Sequence, residues 1–533
     1  MNELRIGWAS RNISTDKPVD IPGQFHTRVS QGVIDPITVT ALVIDNGSDL
    51  VVFLSADLVS IRPYLLEEIR AKVADMVPGL PVEKILMSCT HTHAGASYYK
   101  SNQVSMAKPE QFPHPDIEIT PGDEYRAFLV AQTAEAIGEA FRRRAPGGIA
   151  YGYGYAAIAH SRRVVYFDDL AKRPDATGRP GMIVAGHAAM YGNTNDDNFS
   201  HYEAGTDHFI NLLYTFDQDG RLTGGLVNVP CPSQNSESEW RLSADYWHDV
   251  RVALRKEHGD IFLLPQCAAA GDLAPRIMHY RQAQERRFRL KHGPEDPGVR
   301  ELKARWDIAE RIADAFDEVL DWAKKDIQTA LPVTHTVDTI DLSRRVITDE
   351  ERSREAAQLA ELNAIEFASE GTPREKLIHD STLVARRNRC QRILDRYEDQ
   401  QKQPKVQMEL HVLRIGDVAF ASNSFELYMD YMHRIQARSP FCQTFVVQLA
   451  GTPTDCGGYL TTERGAWGKG YSASLYCNQV SPEGGQELVE ETVERLKAIH
   501  SQERPEQSAP KGGQEDGASP EPPPGGLVSP DPS

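Results

Sequence analysis

Apolar residues fall along this chain in short, β-branched runs, each cut off by small or polar residues. Residues 37–44 and 51–55 read as two strands around the turn Asp45-Asn46-Gly47-Ser48. Leu65, Leu66, Ile69, Val73 and Met76 recur at helical spacing, and Val77-Pro78-Gly79 stops that helix. A buried strand is expected at 85–88. Strand, helix, strand predicts an α/β sheet whose site is built from loops at strand ends.

The same reading continues along the chain. An Ala-rich amphipathic helix is expected over 123–141, a strand over 149–155, and a long loop over 172–203. A second hairpin pairs 210–216 with 222–229, followed by a helix over about 245–256 and a strand at 261–264. Residues 301–325 and 349–401 are helical and highly charged. The second span predicts a solvent-exposed helical hairpin inserted at about 349–403, its charges a solvated face. Strands at 410–415, 418–422 and 445–449 precede a last amphipathic helix through Leu488, Val489, Val493, Leu496 and Ile499. Residues 502–533 are Pro, Gly, Ser and acidic residues with almost nothing to bury, which predicts a disordered tail. The expected architecture is one mixed-sheet, layered α/β domain over 1–501 with a helical insertion and that tail.

Composition narrows the function classes. A chain of 533 residues, 40% apolar, has ample core. Its net charge of −18 argues against a nucleic-acid or anionic-membrane partner and leaves a small-molecule substrate as the expected one. Seven cysteines, scattered without CxxC pairs, suggest neither a disulfide framework nor a zinc ribbon. No basic-then-apolar leader and no run of bilayer length is visible, so a cytoplasmic setting is expected.

The strand at 85–88 delivers the most pointed chemistry, Ser88-Cys89-Thr90-His91-Thr92-His93-Ala94-Gly95. In extended backbone, residues i and i+2 face one side, so His91 and His93 can converge on one point. A metal ion is one reason for such a pair, and two polar residues bonded to backbone at a strand exit is the other. Arg162, His208, Cys231, Asp272, Glu426 and Tyr459 also follow apolar runs, where α/β domains gather functional groups.

Taken in order, these signposts resemble the catalytic region of the neutral/alkaline (non-lysosomal) ceramidases, zinc amidases that cleave the N-acyl bond of ceramide. The most specific pieces are Thr90-His91-Thr92-His93 and Gly458-Tyr459-Leu460-Thr461-Thr462-Glu463, with Ser55-Ala56-Asp57, Ala270-Gly271-Asp272-Leu273-Ala274-Pro275 and Phe425-Glu426 in register. The resemblance implies one Zn²⁺ per chain held by His91, Glu426 and Tyr459, and His93 orienting or polarising the substrate. It further implies Arg162 at the substrate carbonyl or oxyanion, and Tyr471 hydrogen-bonding into the site.

Two positions depart from the family pattern. The second zinc histidine aligns with Cys231; a thiolate ligand is chemically sound, with His93 or His208 taking the place, or a core thiol, as alternatives. The nucleophilic serine aligns with Ala274, which has no hydroxyl. Cys267 lies seven residues earlier, with no obvious base beside it. The expected mechanism is therefore water activated by the metal, with Asp272 or His93 as base and His208 contacting substrate. The family's C-terminal β-sandwich has no counterpart before the tail, so a soluble amide or related substrate is expected. The alternatives are ceramide itself, a carbohydrate, or a lapsed enzyme that only binds.

Overall fold

A computed structural model describes residues 3–100, 107–173, 185–294 and 300–501. The expected tail over 502–533 lies outside the described residues.

Eight strands form the larger sheet, in the order Phe262–Cys267, Leu222–Val229, Phe209–Asp217, Ala145–Tyr155, Arg5–Asn12, Thr38–Asp45, Leu50–Ala56, Ile85–Cys89. The first hairpin pairs in the register set by its Asn-Gly turn, Ile44 opposite Val51 and Val39 opposite Ala56. Alternation assigns the faces. Val39, Ala41 and Val43 pack with Leu65, Leu66, Ile69 and Val73 of the Pro63–Met76 helix and with Leu129, Ala136 and Ile137 of the Gly122–Arg142 helix. Leu42, Ile44 and Phe53 face the other way, onto a second sheet.

That second sheet has four strands, Val333–Ser343, Lys405–Ile415, Val418–Ser422 and Gln443–Val447. Leu413, Phe420, Phe445 and Val447 meet Trp8, Leu42, Phe53 and Leu213 in a sheet-on-sheet core. Phe420 is its pin, with ring centroids 4.8 Å from Phe53 and 4.4 Å from Phe445. Helix Pro482–Ser501 buries Leu488, Val489, Val493, Leu496 and Ile499 in the adjoining core cluster, together with Ile340 and Leu342 of the second sheet.

Within these two sheets, three pairs of neighbouring described strands run parallel: Leu50–Ala56 with Ile85–Cys89, Leu222–Val229 with Phe262–Cys267, and Val418–Ser422 with Gln443–Val447. Parallel neighbours end side by side, so each pair delivers two loops to one edge.

The insertion is two helices, Asp349–Asn363 and Pro373–Lys402, each started by a capping box, Thr348 with Glu351 and Thr372 with Glu375. Its placement corrects the expectation of a purely solvated face. Ala385, Arg389 and Arg392 of the longer helix line a cavity at the strand ends, because Leu377, Val384 and Ala385 pack against Val29, Ala107 and Phe112 of the loops beside it. The expected long loop at 172–203 contains two short strands, Ala188–Met190 and Phe199–Tyr202, both paired with Arg163–Tyr166. Helices Arg281–His292 and Met429–Arg438 and strands Arg5–Asn12 and Val333–Ser343 were not anticipated by the hydrophobic pattern.

Candidate functional site

At the end of Ile85–Cys89 the chain turns sharply. Thr90 N–H donates to Ala56 O at 3.0 Å, and His91 adopts a left-handed backbone, φ 61°, uncommon for a residue with a Cβ. Thr92 pins the turn: its hydroxyl donates to Ser243 O at 2.9 Å and accepts from Ala94 N–H at 3.2 Å. His91 Nδ1 lies 2.6 Å from Val59 O, in the loop leaving the neighbouring parallel strand. A carbonyl only accepts, so Nδ1 carries a proton and Nε2 is the nitrogen left facing the site.

Glu426 and Tyr459 reach the same point for a backbone reason. Glu426–Leu427 and Tyr459–Leu460 form a two-stranded parallel pair in which Glu426 stands directly opposite Tyr459. Glu426 Oε2 lies 3.4 Å from His91 Nε2 and 3.5 Å from an Arg162 guanidinium nitrogen. Burial works to raise the Glu426 carboxyl, but His91 and Arg162 hold it below the usual range. Arg162, 1% exposed, also donates to Tyr459 Oη at 3.2 Å, Gly271 O at 2.9 Å and Gln234 Oε1 at 3.0 Å. Gly271 permits this close packing, since a Cβ there would lie 2.3 Å from Glu426 O.

His93 lies beside this group, its Nε2 3.4 Å from His91 Nε2. Gln234 fixes its state. Gln234 Oε1 accepts from Arg162 and, at 3.1 Å, from Tyr191, so its amide nitrogen faces His93 Nε2 at 2.9 Å as donor. Burial, then His91 and the nearby arginines, push the His93 imidazolium well below its usual range, so the ring is neutral. Gly23, φ 108°, backs the ring; a Cβ there would sit 2.6 Å away. Tyr471 lines the same cavity, its ring edge-on to Tyr459 and to Phe25.

The structure thus brings together His91, His93, Arg162, Glu426, Tyr459 and Tyr471 around a cavity of about 350 Å³. It leaves three expected residues outside. Cys231 points into the core, its thiol 3.5 Å from Ile158 O, pushed up by burial, and it does not line the cavity. The chain turns from core to cavity three residues later, so Gln234 stands where Cys231 was expected. Asp272 is also buried away from the cavity: its carboxylate accepts from Met429 N–H at 3.0 Å, at the start of a helix. Its carbonyl accepts from Arg162 N–H at 3.0 Å, so it positions the arginine and is not placed to take a substrate proton. His208 sits before the Phe209–Asp217 strand, bonded to Thr206 Oγ1 at 3.1 Å, and does not line the cavity. Ala274 is strand-paired with His160, and Cys267 is buried with its thiol pushed up to about 12.

Gln234, Tyr191, Glu237 and Arg389 belong to the cavity and were not anticipated. Gln234 alone had a signal, its place at the same strand exit as Cys231.

Among the described residues, no three His, Cys, Asp or Glu side chains form a metal-holding group. The donor chemistry nevertheless fits one cation. His91 Nε2 and Glu426 Oε2 stand 3.4 Å apart, about the edge of a tetrahedron with ~2.1 Å bonds, and with Nε2 deprotonated both could donate electron pairs to one ion. Tyr459, opposite Glu426 on the backbone, adds a third donor, and Cys231 does not fit.

No family model matches the chain, and no curated protein matches it. Solved structures do. The crystal structure of neutral ceramidase from Pseudomonas aeruginosa aligns over 94% of this chain and 75% of that one, with 16% identity and a TM-score of 0.62. A ceramidase complexed with C2 aligns over 94% and 76%, with 14% identity and a TM-score of 0.61. Aligned over 94% of its length, the chain shares the mixed α/β fold of the neutral ceramidases in a far diverged sequence.

Proposed function

We propose that this chain is a metal-dependent hydrolase that cleaves an amide or related bond of a small substrate. The observation that carries the reading is the setting of His91: Nδ1–H held on Val59 O leaves Nε2 3.4 Å from Glu426 Oε2, the spacing of two ligands on one small cation. His91, Glu426 and Tyr459 would hold Zn²⁺ or a similar ion. When bound, such an ion polarises a carbonyl and makes water a stronger acid.

The chain's own groups supply the rest. Arg162 cannot lose its proton, so its part is charge: it sits where an oxyanion would develop. His93, neutral and held by Gln234, orients a polar substrate group. Tyr471 and Phe25 close one wall. No hydroxyl stands where the family serine would, so water is the nucleophile in this reading. Ala274 also favours a second reading, a lapsed enzyme that binds without turnover.

Metal analysis of purified protein tests the site. Wild type should retain about one ion per chain, H91A and E426A should lose it, and C231S should keep it. Wild type that takes up no ion from zinc solution would sink the reading. Hydrolysis of short-chain N-acyl amines and of a labelled short-chain ceramide then separates a soluble-amide hydrolase, a ceramidase and a binding protein.

A further inference from the structure

The cavity has a second wall that the metal reading does not use. Arg62, Arg389 and Arg392 line it. In a chain of net charge −18, guanidinium groups gathered in one cavity run against the overall sign. The acids nearby are engaged elsewhere or lie at the edge. Glu426 faces His91 and Arg162, and Glu237 pairs with Arg276 at 2.6 Å. Asp455 lies 3.7 Å from Arg392 with its side chain 75% exposed.

Arg62 is the least satisfied of the three. No described residue accepts a hydrogen bond from its guanidinium, and its Nε is buried without a partner. The Tyr99 ring centroid lies 5.2 Å away, and the exposed Asp455 carboxylate acts on it through space. The half-buried guanidinium borders the cavity, and its planar fork matches a carboxylate or phosphate. Arg389 is set beside it by stacking, 4.6 Å from the Phe25 centroid and 4.9 Å from Tyr476.

Arg62 is also tied to the metal-site histidine. Val59, whose carbonyl holds His91, is three residues away, a span of at most ~11 Å. Tyr98 braces that segment, donating to Ser60 O at 2.7 Å and accepting from Arg62 N–H at 2.9 Å. Phe25, Ile61, Met190 and Leu449 add apolar lining. One small molecule can therefore place a carbonyl at His91 and Glu426, an anion on its amine side at Arg62, and an acyl chain along the apolar lining.

Resting on the hydrolase reading, we propose that the substrate is an N-acyl amine carrying an anionic group, a carboxylate or a phosphate, gripped by Arg62 with Arg389 and Arg392 at its flank. This deepens the substrate class: a neutral amide would leave the Arg62 guanidinium without a hydrogen-bond acceptor among the described residues.

The test uses full-length, zinc-loaded protein with N-octanoylglycine, N-octanoyl-O-phosphoethanolamine and the neutral N-octanoylethanolamine. One or both anionic amides should show kcat/KM about tenfold or more above the neutral one, the size of a charge-assisted hydrogen bond. R62A should lose at least about tenfold more on the preferred anionic amide than on the neutral one, and R62K should recover part of the difference. The better of the two anionic amides identifies the anion. Equal turnover of all three, or equal losses in R62A, overturns the proposal. If none is hydrolysed, the hydrolase reading fails and calorimetry decides the anion site separately. Tighter binding of an anionic amide than of N-octanoylethanolamine, abolished by R62A and partly restored by R62K, upholds it; equal affinity, or none, overturns it.

Discussion

Asp272 shows how a single residue's surroundings set its role. It occupies the motif position where a base was expected, yet its carboxylate is spent on Met429 N–H in a site 1% exposed. Burial pushes its pKa up to about 6, against the lowering effect of that hydrogen bond. A raised carboxyl pKa means the folded state holds the proton more tightly than the unfolded chain. The associated stability is fully present below the unfolded value near 4 and is lost as pH rises through about 6. Asp272→Asn keeps an acceptor for Met429 and removes the buried charge. Its melting temperature relative to wild type should therefore rise between pH 5 and pH 7.5, read by thermal denaturation at both values. An unchanged difference would contradict a buried, raised carboxyl. His91 and Cys231 make the same point: both follow strands, but a left-handed turn swings one into the cavity while the other stays in the core.

Single elements were legible where one face alone is buried. In Pro63–Met76, Leu65, Leu66, Ile69 and Val73 are buried while Glu67 is exposed, as the spacing predicts. Ile69→Ala should cost 2–5 kcal/mol, roughly, in chemical denaturation, because its cavity opens between helix and sheet; Glu67→Ala should stay within about 0.5 kcal/mol. The periodicity of Pro373–Lys402 was read as helix correctly and as solvated face incorrectly. A charged helix looks the same in sequence whether its arginines meet water or a cavity. Arg389 is half of each: its stem lies on Phe25 and Tyr476, and its charge borders the cavity.

For the whole molecule, the two sheets and the strand-end loops form one connected structure, with Phe420 seated between Phe53 and Phe445. A cation bound at His91, Glu426 and Tyr459 would tie the loop after the larger sheet's edge strand to loops after the second sheet. Zinc should then raise the melting temperature by several degrees, since a ligand at 100 times its Kd stabilises by about 2.7 kcal/mol. H91A should abolish the shift. A wild-type protein indifferent to zinc would remove the cross-sheet cation.

The sequence by itself determined most strands and helices, because these follow from local period and turn chemistry. His91 and His93 do meet, but through the left-handed turn at His91 and not through the extended backbone that their spacing suggested. Its ordered motifs also pointed to the ceramidase-like fold. Tertiary structure alone decided which strand-end residues meet. Cys231, Asp272 and His208 stand at strand exits as plausible in sequence as those of Glu426 and Tyr459, but side-chain direction at a loop depends on backbone turns that no spacing encodes. Gln234 and Arg62 enter the cavity for the same reason, brought there by the packing of loops against each other rather than by any local pattern.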